Sequence, residues 1–167
     1  RITVLSRGKV MKTLTKEDTD PEELANLMIG SSEAKESIKV SEIIKENEFD
    51  KSEKPSNVTE EKKYRLGKLT VSLKDIHAAN DLGQLALKGI SLNMYAGEIL
   101  GLAGVSGNGQ PELADLLSGM RKPIQGSYLF EDTPLENPTV NEMIEKGVGY
   151  IPEDRKRFGI CSGMSIA

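Results

Sequence analysis

The sequence predicts an α/β fold in two parts joined by a linker. Three observations carry this. Strand-like alternation is interleaved with helical apolar spacing along most of the chain. A short, mostly apolar run at 98–103 leads at once into a glycine-rich loop and then a helix. Between the parts, residues 31–63 are roughly half charged, with both signs mixed and no Gly, Trp or Tyr. Such a composition cannot bury much core.

Residues 1–30 form a hairpin-helix unit. Residues 2–5 and 10–14 are short strands, and Ser6-Arg7-Gly8 between them is a turn. Asp20 caps a helix with Pro21 at its first position, and Glu23 stands three residues on, as in a capping box. Leu24, Leu27 and Met28 share one helical face, and Gly30 stops the helix. In the linker, Ile38, Val40, Ile43 and Ile44 could form one short helix, which 54–57 (Lys-Pro-Ser-Asn) breaks.

Residues 64–167 form the larger unit. Strands are expected at 68–76 and 89–94. Ala96-Gly97 turns the chain into a strand at 98–103, expected to be covered on both faces. A helix is expected at 111–118, a strand at 127–130, a helix capped by Asn137-Pro138 and closed by Gly147, and a strand at 148–151. Neither terminus reads as a natural boundary: Arg1 enters directly into a strand, and the stretch after Gly163 ends without a helix. The expectation is a fragment of a longer chain.

The net charge is −4 and 29% of residues are charged, which argues against a nucleic-acid partner. Cys161 is the sole cysteine, so no internal disulfide forms. No apolar run reaches the length of a membrane-spanning helix.

The loop reads GLAGVSGNGQPEL from Gly101 to Leu113. Gly104 and Gly109 have the spacing of the two glycines in G-x-x-x-x-G-K-[ST], a pattern that cradles phosphates on backbone N–H groups. Gln110 stands where the lysine belongs, and Pro111 where the Mg²⁺-binding hydroxyl belongs. An amide carries no charge, and proline has neither hydroxyl nor N–H. Charge-assisted bonds contribute about 1.5–3 kcal/mol, so nucleotide binding is expected to be weakened roughly tenfold to a few hundredfold. The dinucleotide order G-x-G-x-x-G does not fit. A plain glycine turn and a lysine-independent anion nest remain open on the loop alone.

The flanking residues add a family. Residues 87–104 (LKGISLNMYAGEILGLAG) resemble the start of an ABC-transporter ATPase domain, where an Ala-Gly-Glu turn and a strand lead into the Walker A loop. Gly107-Asn108-Gly109-Gln110, with 150–156 (YIPEDRK), resembles the second ATPase domain of double-domain importers for simple sugars or nucleosides. Residues 1–10 and 21–30 resemble the end of the first ATPase domain in such proteins. The resemblance covers the chain except the linker.

The resemblance implies a partial P-loop NTPase (ABC-type) domain with an antiparallel β subdomain. It divides the chain into the end of a first ATPase domain (1–30), a linker (31–63) and the N-terminal half of a second, degenerate one (64–167). Gly104, Gly107, Asn108, Gly109, Gln110 and Pro111 take the Walker A positions. Glu153 matches the Q-loop glutamine, and its carboxylate would repel phosphate unless a cation sits between them. The family's adenine-stacking aromatic is missing near 80–82; His77 is the nearest ring, read as a strand-end surface residue. The Walker B acid, the signature motif and the switch histidine lie beyond this stretch, and 117–120 (LSGM) is a helix end.

ATP is the implied ligand, weak or vestigial at this loop, with Mg²⁺ used by the parent protein. This chain alone is expected not to hydrolyse ATP. The implied partners are transmembrane permease subunits, which the basic cluster Arg155, Lys156 and Arg157 would touch, an extracellular substrate-binding protein indirectly, and the first ATPase domain. The implied place is the cytoplasmic face of the cell membrane, held peripherally.

Overall fold

The structure is a computed structural model that describes residues 1–17, 19–29, 66–161 and 163–165; the side chain of Arg157 is not among what it describes. The linker expected at 31–63, and Gly30 with it, lies outside the described residues.

The first unit forms as the spacing predicts. Strands β1 (Ile2–Ser6) and β2 (Lys9–Leu14) pair antiparallel, and Arg7 and Gly8 turn between them at φ 51° and 79°. Helix α1 (Pro21–Ile29) opens on Asp20, whose carbonyl accepts the Leu24 N–H at 3.0 Å. The Glu23 carboxylate does not reach back to Asp20. It pairs with Lys12 Nζ at 2.5 Å and so ties the helix to β2.

In the larger part, β3 (Leu69–Ala79), β4 (Leu85–Tyr95), β6 (Gln125–Phe130) and β7 (Thr133–Leu135) make an antiparallel sheet in the order β4-β3-β6-β7. Simple alternation along β3 would send Leu73 inward and Ile76 outward. Both are buried, because the register shifts between them and Asp75 takes φ 52°. The core lies between this sheet and two helices, α2 (Gln110–Leu117) and α3 (Val140–Glu145). Leu113 and Leu116 enter it from α2 and Met143 from α3, against Leu73, Leu87 and Tyr128.

The second sheet has the order β2-β1-β5, with β5 (Gly101–Ala103) parallel to β1 from Ile2↔Gly101 to Val4↔Ala103. The hairpin read as part of the first unit therefore lies beside the strand that feeds the glycine loop. Thr3, Val4 and Leu5 are fully buried there.

Four expectations change. The strand expected at 98–103 is only 101–103, and it is not covered on both faces: Leu102 is 37% exposed and Ile99 91%. Residues 148–151 form no strand. Their apolar alternation suggested one, but no described strand pairs with them, and Ile151 is 84% exposed. The cap of α3 is Thr139 rather than Asn137-Pro138. Thr139 Oγ1 accepts from the Glu142 N–H, and the Glu142 carboxylate accepts from the Thr139 N–H at 2.7 Å, a full capping box. That backbone hydrogen bond holds the Glu142 carboxyl below its ordinary range. Past Pro152 the chain makes a further short helix, α4 (Arg155–Phe158).

Tyr128 gives a pH-dependent prediction. Its side chain is buried, its hydroxyl donates to the Leu117 carbonyl at 3.3 Å, and burial pushes its pKa up to about 12. The neutral form is favoured in the folded chain, so its stabilisation is complete below the unfolded pKa near 10. Between pH 10 and about 12 that stabilisation is lost. Urea midpoints measured across this range should fall, and Tyr128→Phe should flatten the decline.

Candidate nucleotide-phosphate site

The glycine loop, residues 104–109, joins β5 to α2. Gly107 and Gly109 adopt φ 84° and 104°, and Gly109 sits at the N-cap of α2 with no side-chain cap. Its carbonyl takes the first helical bond, from the Leu113 N–H at 2.9 Å. Ser106 and Gly107 are the corner of a turn that closes from Val105 to Asn108, and the backbone N–H groups of residues 105–107 and 109 donate to no acceptor among the described residues. A run of free N–H groups on alternating backbone conformations forms an anion nest, and the positive end of a helix reinforces it. Such an arrangement can accept anionic oxygen.

Gln110 turns back over this loop. Its Nε2 donates to the Val105 carbonyl at 3.1 Å, and its Oε1 is buried without a partner. Gly104 gives it room: a Cβ there would stand 2.5 Å from Gln110 Nε2 and 2.8 Å from the Leu5 carbonyl. Pro111 occupies the first turn of α2, where a missing N–H costs the helix nothing. The cradle thus keeps its backbone donors and lacks both the cation and the hydroxyl. Phosphate fits it. A directly ligated metal does not, and no group of three or more His, Cys, Asp or Glu among the described residues could hold one.

Asn108 has a second task that its place in the loop does not reveal. Its Oδ1 accepts from the Arg7 N–H at 2.7 Å, and its carbonyl accepts from the Gly8 N–H at 3.1 Å. The Gly8 carbonyl in turn accepts from the Lys88 N–H at 2.8 Å. The β1–β2 turn is thereby wedged between the glycine loop and β4.

Glu153 is exposed on a cleft of about 770 Å³ that also takes in Pro111, Asp115, Arg121 and Tyr150. Glu153 thus lines one cleft with Pro111, while the loop's glycines lie outside the cleft lining. Arg155 and Lys156 border the same cleft. Burial, and then the carboxylates of Asp115 and Glu153, raise the Tyr150 hydroxyl above its ordinary pKa. Arg121 was invisible to motif reading. Its guanidinium spans the Ala79 carbonyl at 2.6 Å, Asp81 at 2.7 Å and Asp115 at 3.0 Å, fixing the β3–β4 turn to the far end of α2. His77 is part-buried near the end of β3, with its Nε2 3.3 Å from Asp75 Oδ1.

The ABC transporter family model matches residues 87–162. The nucleoside import ATP-binding protein NupA of Lactococcus lactis is 34% identical over 100% of this chain and 29% of its own length. The guanosine import ATP-binding protein NupO of Bacillus subtilis is 33% identical over 99% of this chain and 28% of its own. The glucose import ATP-binding protein TsgD13 of Haloferax volcanii is 30% identical over 99% and 26%. The chain thus spans less than a third of the length of these relatives. The glycine loop between strand and helix and these matches together give one conclusion: the chain belongs to the ABC transporter family of ATP-binding proteins.

Proposed function

We propose that this chain is part of the ATP-binding subunit of an importer for nucleosides or simple sugars. Residues 1–30 close a first ATPase domain, 31–63 link, and 64–167 open a second one with a degenerate phosphate loop. The relatives' names, divided between nucleoside and sugar import, support the transport reading and leave the cargo class double. The parent works at the cytoplasmic face of a membrane against permease subunits, with an extracellular binding protein delivering the cargo. Among the described residues no helix is long and apolar enough to cross a membrane.

The observation that carries the site reading is the set of N–H groups at 105–107 and 109 that have no acceptor among the described residues, at the head of α2. Gly104, Gly107, Asn108, Gly109, Gln110 and Pro111 form the phosphate loop, and Glu153 flanks it. ATP binds here through backbone donors alone, so binding is weak and independent of Mg²⁺. Mg²⁺-dependent hydrolysis belongs to the parent's other site, and this chain alone turns over no ATP.

Titration with a fluorescent ATP analogue, with and without Mg²⁺, tests this. Equal and weak affinities are expected in both conditions. Tight binding that requires Mg²⁺ would instead favour the second reading, a non-catalytic nucleotide or anion sensor. That alternative draws support from the same nest, which needs no lysine.

A further inference from the structure

We propose that the β1–β2 turn is a positioning element of the glycine loop, with Asn108 as the positioning residue, so that loop occupancy and hairpin docking stabilise each other. The inference rests on the phosphate-loop reading above and adds a coupling to it.

Three features of the turn point this way. Both acceptors of Asn108 are taken by consecutive turn donors, Arg7 N–H at 2.7 Å and Gly8 N–H at 3.1 Å. With its side-chain and backbone oxygens drawn toward the hairpin, the orientation of the 108–109 peptide is fixed. That peptide carries the Gly109 N–H, one of the free donors of the nest. The turn is itself held from its far side by the Lys88 N–H on the Gly8 carbonyl, so it cannot slide without breaking this bond as well. There is also no slack: a Cβ on Gly8 would lie 1.9 Å from the Ala86 carbonyl oxygen. The turn meets the loop across about a hundred residues of sequence.

An anion in the nest favours the loop geometry that presents the N–H groups, and this is the geometry the turn holds. By linkage, each must then strengthen the other.

The test is NMR-detected amide hydrogen exchange on the whole chain, with and without saturating ATP, in the parent sequence and in Asn108→Ala. In the parent sequence, ATP should slow exchange at residues 105–109 and also at Arg7 and Gly8, by about fivefold or more. In Asn108→Ala the slowing at Arg7, whose partner Oδ1 is removed, should vanish and that at Gly8, whose carbonyl partner remains, should shrink, while weaker slowing persists in the loop. A merely structural contact would leave Arg7 and Gly8 unmoved by ATP. Slowing confined to the loop in the parent sequence therefore overturns the coupling and leaves the phosphate-loop reading standing. No slowing at 105–109 overturns the phosphate-loop reading, and the coupling falls with it.

Discussion

Gly8→Ala is expected to destabilise the chain by about 2–4 kcal/mol. Two effects combine. Gly8 has φ 79°, and a left-handed conformation costs an L-residue roughly 1–2 kcal/mol. The added methyl would also lie 1.9 Å from the Ala86 carbonyl oxygen and 3.0 Å from its carbon, and these backbone atoms cannot turn aside as a side chain would. Overpacking of this kind costs about 1–3 kcal/mol. The clash is relieved only if the turn lifts away, which breaks the bonds to Asn108 and Lys88. Urea unfolding should show the midpoint lowered by roughly 1–2 M. An unchanged midpoint would mean that the hairpin is not seated against the loop and β4 as described.

Gln110→Lys should have the largest effect on binding. The carboxamide already lies over the loop, with Nε2 on the Val105 carbonyl at 3.1 Å. A lysine from the same position carries a full charge to the mouth of the nest. One charge-assisted hydrogen bond contributes about 1.5–3 kcal/mol, so ATP affinity should rise roughly tenfold to a hundredfold. The gain should appear without Mg²⁺, because Pro111 still offers no hydroxyl. Adding Pro111→Thr should make binding depend on Mg²⁺. Isothermal titration of the single and double variants checks both steps. An unchanged affinity in Gln110→Lys would show that phosphate does not sit at this loop.

What the sequence disclosed depended on how local the cause is. The hairpin, α1 and α2 announce themselves through turn residues, caps and apolar spacing within a dozen residues. The glycine loop is legible because its glycines must accept left-handed angles, and Gly107 and Gly109 do. The capping box Thr139–Glu142 is equally local, but it stands directly after Asn137-Pro138, itself a helix-start pair. Residues 148–151 have a strand's alternation, but a strand needs a partner to satisfy its backbone, and none of the described strands provides it. The shared sheet of β1 and β5 and the Asn108 bonds lie across about a hundred residues, where no local signal operates. Arg121 gave no signal either, since a single arginine after a helix is ordinary until its three partners are known.

The claim that matters most is that backbone N–H groups of residues 105–109 receive phosphate. A ¹⁵N-labelled chain titrated with ATP, followed by amide chemical shifts, tests it directly. Saturable shifts concentrated at 105–109 and the first turn of α2, at low affinity and alike with or without Mg²⁺, are the expected result. Shifts that fall elsewhere, or none at all at high ATP, would contradict the account and leave the loop a glycine turn without a ligand.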